Sequence, residues 1–329
     1  MIQPLPWPDA VLDRASELRS EPGFLDTVQA RAGHRILVLA AGKTLIRDGG
    51  LVFLAPSDIP AGTLTEDTLT VYLGSVLPGA HKTLPEGTDI VLKVLADDAE
   101  PLAWVPDAAS GAPTVMAGYR EAALSLEGAD AGIFIEAQGV ANWHRTHPRC
   151  PRCGAETVSE CSGWMRRCVA DRSEHFPRTD PAVIVAVIGA DDRILLANNA
   201  GWDSNRYSTV AGFVEAGESL EQAVVREIFE EVGVRLHTPV YVGSQSWPFP
   251  RSLMLGYLGY TDDTVPVPDG NEVLDARWFT RAQLQDAVTS GDVIISQRLS
   301  IARALIEHWY GGIIADAGEA LDGAAVAKR

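Results

Sequence analysis

The most ordered alternation of apolar and polar positions lies in residues 212–234, GFVEAGESLEQAVVREIFEEVGV. Leu220, Val224, Ile228 and Val232 recur every four residues, the spacing of one buried helical face. Ser219 precedes that pattern and Gln222 follows it three residues on, the pair that forms a capping box. Gly233 supplies a left-handed stop. The pattern predicts a helix over 220–232. Gly212 and Gly217 bracket the turn leading into it, where permissive backbone is expected. A second face of the same helix carries Glu227, Glu230 and Glu231 at i, i+3 and i+4.

Elsewhere, short apolar runs bounded by turn residues predict strands at 35–39, 51–54, 69–76 and 89–96. Helical spacing predicts helices near 118–126 and 130–144. After Pro181 the pattern gives strands at 182–188 and 194–197 around a hairpin at 190–193, then 240–245, 253–260 and 275–279. Helices are expected at 281–289 and 297–310. Beyond Gly312 the chain is Ala, Gly and charge, and a mobile tail is expected. Strands flanking a helix–turn site, with helices outside, describe an α/β/α sandwich around a mixed sheet.

The chain has 329 residues, enough for about two domains. Its 46% hydrophobic and 22% charged residues mark a soluble globular protein with ample core. A net charge of −17 argues against a general nucleic-acid or membrane surface, so a phosphate substrate would have to meet metal or local cations. No apolar run reaches the ~18 residues of a membrane span. The N-terminal residues lack the pattern of a signal peptide, and a cytoplasmic location is expected. All 4 cysteines fall between Cys150 and Cys168, which in that compartment suits a metal site better than disulfides.

The cysteine segment, 145–178, is rich in arginine and histidine. Cys150-Pro-Arg-Cys153-Gly is a zinc-knuckle signature. A second knuckle is expected ~12–20 residues on, and Cys168 stands there. Its partner position holds Asp171, while Cys161 is off register. Two readings stay open. In the first, a structural zinc sits on Cys150, Cys153 and Cys168 with Asp171 or Cys161 as fourth ligand, because so small a hairpin rarely folds unaided. Alternatively, the ribbon is held without metal by packing around Trp164. The arginines could attract a polyanion or merely offset acidic neighbours. No catalytic constellation stands out in 1–144, which reads as a scaffold.

Three glutamates on one helical face usually mean a solvated acidic surface. Here a Gly-rich turn precedes them and Arg226 adjoins Glu227. Such an oxygen-only cluster suits Mg²⁺ or Mn²⁺. The reaction class that follows is metal-assisted attack of water on a phosphate anhydride.

These residues carry a resemblance. The stretch is similar to the Nudix box, G-x5-E-x7-R-E-U-x-E-E-x-G-U with U a bulky aliphatic. Gly212, Glu218, Arg226, Glu227, Ile228, Glu230, Glu231, Gly233 and Val234 fill its fixed positions. The resemblance implies that Glu227, Glu230 and Glu231 hold divalent metal, that Arg226 orients them, and that Glu218 stands behind. Residues 244–252, SQSWPFPRS, resemble the SQPWPFPxS signature of NudC-type NADH pyrophosphatases of the Nudix hydrolase superfamily. The order of scaffold, zinc ribbon, Nudix domain and loop is also similar, which implies segments 1–144, 145–178, 179–314 and a tail, 315–329.

In that family the substrate is NAD(H), split into nicotinamide mononucleotide and AMP, and some members remove NAD caps from RNA 5′ ends. The resemblance implies substrate contacts from Phe176 and Phe213 on either side of the nicotinamide. It adds Gln245, Ser246, Trp247, Pro248, Phe249, Pro250 and Ser252 from the loop, and Ala302 against the base. Glu272 would be a further metal ligand, and the active site would be completed in a homodimer. Two departures stand out. Asp171 replaces a cysteine, and Ser246 replaces a proline, making it the loose point of a rigid loop. Ser246→Pro is on that reading expected to raise kcat/KM for NADH by roughly 2- to 5-fold. The competing readings are a broader nucleoside-diphosphate hydrolase, acting on ADP-ribose or dinucleoside polyphosphates, and a non-catalytic nucleotide sensor.

Overall fold

A computed structural model describes residues 10–105, 112–122, 125–126 and 128–318. The chain forms two compact units. Among the described residues, one takes Thr179–Trp247 and 252–318. The other takes 10–178 together with the four residues Pro248–Arg251.

In the N-terminal unit the short strand β1 (Leu12–Asp13) leads to α1 (Phe24–Ala30), β2 (Arg35–Leu39), β3 (Lys43–Arg47) and β4 (Gly50–Leu51). Then come β5 (Leu69–Val76), β6 (Asp89–Val94), β7 (Val115–Gly118), α2 (Tyr119–Ala122) and α3 (Gly128–Thr146). One sheet has the order β1-β5-β6-β2, with β2 and β6 parallel, and a second has β4-β3-β7. Strands β3 and β7 and helix α1 were not legible from the pattern. The expected strand at 51–54 shrinks to the end of β4 plus a lone bridge from Leu54 to Ile36. Of the helix expected near 118–126, the described residues show α2, and 123–124 lie outside them.

The cysteine segment continues this unit as a three-stranded ribbon: β8 (Thr157–Glu160), β9 (Met165–Cys168) and β10 (Glu174–His175). Trp164 docks it, donating its indole N–H to the Tyr72 carbonyl at 2.6 Å. The Arg19 guanidinium lies 4.3 Å from the Trp164 ring centre. Gly163 fits because a Cβ there would stand 2.7 Å from Val71 Cγ2. Buried His144 on α3 donates Nε2–H to the Gly163 carbonyl, at 2.7 Å, and accepts from Arg166 at Nδ1. Desolvation pushes the His144 pKa down to about 4, so the ring is neutral and this tautomer is fixed.

The C-terminal unit is an α/β/α sandwich. Its strands are β11 (Asp180–Gly189), β12 (Ile194–Asn199), β13 (Val210–Phe213), β14 (Val240–Trp247), β15 (Ser252–Thr261) and β16 (Val273–Phe279). Its helices are α4 (Leu220–Val232), α5 (Arg281–Ser290) and α6 (Ile301–Tyr310). The mixed sheet runs β14-β15-β11-β12-β16, with β13 also on β11. The central pair β11 and β15 is parallel, and its neighbours are antiparallel. Period two along β11 explains the layering. Val183, Val185 and Val187 face the core shared with Val224, Ile228 and Val232 of α4. On the opposite face Gly256 lets Ile301 of α6 approach, since a Cβ there would stand 2.9 Å from its Cδ1.

Past Gly312 the chain is pinned where mobility was expected. Ile314 and Ala315 are buried, and the buried Arg303 bonds the Ile314 carbonyl and Asp316. The remainder of the expected tail, 319–329, lies outside the described residues.

Candidate functional site

Helix α4 begins and ends with the capping chemistry its sequence requires. The Ser219 hydroxyl accepts from Gln222 N–H, and the Gln222 side chain accepts in return from Ser219 N–H, at 3.2 and 2.8 Å. Gly233 closes the helix at φ +66°. Gly217 carries the turn at φ +95°. Gly212 has a different reason. It lies on β13 opposite Val183, outside the left-handed region, and a Cβ would stand 2.0 Å from the Glu227 carboxyl carbon. The glycine makes room for the Glu227 carboxylate instead of permitting a turn.

Arg226 organises the helix face, and all five of its N–H donors are engaged. Nε and Nη2 grip both oxygens of Glu218, at 2.6 and 2.9 Å. Nη1 reaches Glu227 at 2.9 Å and Glu230 at 3.0 Å. Nη2 also donates to the Phe213 carbonyl at 2.9 Å, tying the end of β13 to the helix. This grip, with the Glu215 N–H, holds the Glu218 pKa down to about 2.

The three box glutamates do not share one solvated face. Glu230 is exposed, Glu227 has 13% of its side chain accessible, and Glu231 is buried at 8%. The cover is the chain at 267–269: Val267 and Asp269 donate their N–H groups to the carbonyls of Val232 and Glu231. Burial pushes the Glu231 pKa up to about 8, and the charges of Glu227, Glu272, Asp269 and Glu230 add to the rise. Burial also raises Glu227, against the pull of Arg226. Glu272, exposed at the entry to β16, thus lies within electrostatic reach of both. Asp269 escaped the sequence reading. It sits on a turn outside the box, and its carboxylate accepts from the Glu272 and Val273 N–H groups.

The residues expected at the substrate fall into several environments. Phe213 is exposed in the C-terminal unit, and Phe176 is exposed in the N-terminal unit. Gln245 is buried, and its amide is committed to backbone. It donates to the Leu299 carbonyl at 2.7 Å and accepts from Ile301 N–H at 2.9 Å. It therefore fixes the turn before α6, where Ser300 caps the helix and Ala302 is buried. Ser252 is buried at the start of β15. Ser246 is not the loose point of a loop. It stands within β14, paired with Leu253, and Trp247 ends that strand opposite Ser252. Pro248, Phe249 and Pro250 belong to the N-terminal unit.

In the ribbon, Cys150, Cys153, Cys168 and Asp171 each offer a ligand atom, all within 4.8 Å of one another. The Cys153 and Cys168 sulfurs are 3.5 Å apart. Tetrahedral Zn–S bonds of ~2.3 Å require a sulfur separation of ~3.8 Å, so the donor set fits zinc. Ser173 donates its hydroxyl and its N–H to Asp171, holding that carboxyl well below the usual range and ready as an anionic ligand. Cys161 is outside the cluster, on a turn at φ +51°.

Comparison with known proteins places names beside this geometry. Residues 178–299 match the model of the NUDIX domain, and residues 145–176 match that of the NADH pyrophosphatase zinc ribbon domain. The chain is 35% identical, over 90% of its length and 92% of the relative's, to the NAD-capped RNA hydrolase NudC of Mycobacterium tuberculosis. It is 38% identical to the NAD-capped RNA hydrolase NUDT12 of Homo sapiens over 57% of this chain and 43% of that one.

Proposed function

The chain belongs to the NudC-type Nudix hydrolases, and on that premise we propose that it hydrolyses the pyrophosphate bond of NAD(H) to nicotinamide mononucleotide and AMP. NAD-capped RNA 5′ ends are the second substrate of this reading, supported by the likeness to the two NAD-capped RNA hydrolases. The observation that carries it is the carboxylate group of α4. Glu227 and Glu230 are steered by one arginine, while Glu231 and Glu227 are left with more negative charge than the protein neutralises.

Such a group is suited to cations. Glu227, Glu230, Glu231 and Glu272 would hold Mg²⁺ or Mn²⁺, which when bound supplies charge neutralisation at the phosphates and a water of lowered pKa. The chain's own residues do the arranging. Arg226 holds Glu227 and Glu230 toward a common side of the helix, and Glu218 holds Arg226. Gly212 leaves the space that the Glu227 carboxylate fills. Gln245 fixes the backbone from Leu299 to Ile301, beside which the base would lie. Phe213, exposed at the end of β13 beside the helix, offers its ring to the nicotinamide.

The ribbon is assigned one structural zinc on Cys150, Cys153, Cys168 and Asp171. A cytoplasmic homodimer, with 1–144 as scaffold, 145–178 as ribbon and 179–314 as hydrolase domain, completes the reading on the strength of the family resemblance. Steady-state assay of NADH, ADP-ribose and NAD-capped RNA, each with Mg²⁺ and Mn²⁺, tests it. NADH or the capped RNA should be preferred over ADP-ribose, and equal or better turnover of ADP-ribose would replace this reading with a broader nucleoside-diphosphate hydrolase.

A further inference from the structure

The turn Pro248–Arg251 interrupts the hydrolase segment of the sequence, yet its packing is with α2 and α3 of the N-terminal unit. The anchor is Asn142, buried on the last turns of α3. Its Nδ2 donates to the Pro248 carbonyl at 2.8 Å and to the Pro250 carbonyl at 3.1 Å. Both donors of one amide are thus spent on one short turn. Those two carbonyls flank Phe249, whose ring lies beside Tyr119 and 4.7 Å from the Arg120 guanidinium carbon. The turn also packs close to the helix surface at Gly139, one turn before Asn142, where a Cβ would be in ordinary contact with the Pro248 Cβ at 3.9 Å.

The orientation of the Asn142 amide is itself enforced. Its Oδ1 accepts from Gln138 Nε2 at 2.8 Å and from Arg145 Nη2 at 3.2 Å. Two cationic or amide donors on the oxygen leave only the nitrogen to face the proline carbonyls. Gln138 is itself buried on the same helical face, four residues earlier. The result is a short chain of hydrogen bonds, Gln138 to Asn142 to two carbonyls, made by two buried side chains whose bonds are costly to leave unmade.

We infer that Asn142, oriented by Gln138, is a positioning residue that sets the shape of the turn Pro248–Pro250 and through it the recognition of the dinucleotide. The inference rests on the proposed function, because that reading makes Pro248, Phe249 and Pro250 substrate-binding. It gives the N-terminal unit a part in specificity beyond that of a scaffold. Asn142 touches no reacting atom, so its loss should weaken substrate recognition and leave the chemical step nearly intact.

The test uses the full-length protein with two substitutions. Asn142→Asp keeps the shape but removes both donors and sets a carboxylate against two carbonyls. Gln138→Leu removes only the orienting bond and serves if the first variant folds poorly. Asn142→Asp should raise KM for NADH by about 10-fold with kcat changed less than about 3-fold, as expected when ground-state and transition-state binding fall together. Gln138→Leu should move KM in the same direction by about 3-fold. Hydrogen exchange at residues 247–252 should accelerate in both variants. A purely structural role would lower kcat through loss of folded protein and leave KM alone. Unchanged KM and unchanged exchange in both variants overturn the inference. If wild-type protein turns over no NADH, the functional reading fails on its own, and the exchange experiment still decides whether Asn142 holds the turn.

Discussion

The α4 carboxylates and the ribbon cysteines are both clusters of metal-binding groups, and the chain holds them in opposite ways. In the ribbon the four donors already stand within 4.8 Å, and Ser173 and the backbone N–H groups around them satisfy their charge. On α4, Glu231 lies buried among four other carboxylates, with its pKa pushed up to about 8. Arg226 offsets part of this charge, but three of its contacts go to Glu218 and the Phe213 carbonyl rather than to Glu227 and Glu230. A preformed, satisfied donor set belongs to a metal that stays and holds a fold. A set strained by its own charge belongs to ions that exchange with each substrate.

The comparison breaks most visibly at Glu230 and Glu231. Changing either to Gln should cut turnover by about 100-fold or more, the scale of losing a principal charge-stabilising group. Near-normal rates at saturating Mg²⁺ would remove that residue from the metal site. Gly212→Ala comes next. The backbone there accepts alanine, but its Cβ would displace the Glu227 carboxylate, and a shift of about 1 Å costs up to about 100-fold. Turnover of Gly212→Ala should fall by about 10- to 100-fold with little loss of Tm, and an unchanged rate would show that the carboxylate position is not critical.

For the ribbon, elemental analysis should find about one zinc per chain. Asp171→Ala should release it to a chelator faster than Cys161→Ala, because Asp171 stands in the cluster and Cys161 does not. The reverse ranking would move the fourth ligand to Cys161. Metal-free protein with an intact ribbon would leave packing around Trp164 as the explanation. The smallest effect is at Ser246. Within β14 the backbone is already fixed opposite Leu253, so proline has little disorder to remove. Ser246→Pro should alter kcat/KM for NADH by less than about 2-fold, in place of the gain expected for a loose loop. A rise of about 5-fold would mean that the strand frays at that residue before substrate binds.

Much of this was legible where local signals agree. In α4 the period of four, the capping box and Gly233 all specify one helix, and the structure has it from Leu220 to Val232. The CxxC spacing likewise announced Cys150, Cys153 and Cys168, but left Asp171 and Cys161 both open as the fourth member, and the structure groups Asp171 with them. What stayed hidden depends on distant chain. Glu231 looks solvated on a helical wheel, but 267–269 returns along the end of α4 beside it, and it is buried. Asp269 carries no motif, and its role follows from that same return. Strand β3 is too short and too charged at its ends for the period-two signal to stand out. Asn142 reads as an ordinary helix residue because its partners lie more than 100 residues away. Ser246 misled because proline-rich context suggests a loop, whereas β14 extends through it.

The claim that the α4 carboxylates serve a cation at the expense of the fold is tested most directly by thermal stability against pH without divalent metal. In the unfolded chain Glu231 titrates near its ordinary 4.5, and in the folded protein near 8. Between these values the folded state holds the extra proton, so wild-type stability should fall as pH rises from about 4.5 to about 8 and then level. Glu231→Gln cannot ionise and escapes that loss. The variant should match wild type near pH 5 and exceed it increasingly up to pH 8, by about 1–3 kcal/mol at the upper end. Added Mg²⁺ or Mn²⁺ should restore the wild type and leave the variant largely unmoved. A wild-type protein as stable as Glu231→Gln at pH 8 without metal would contradict the account.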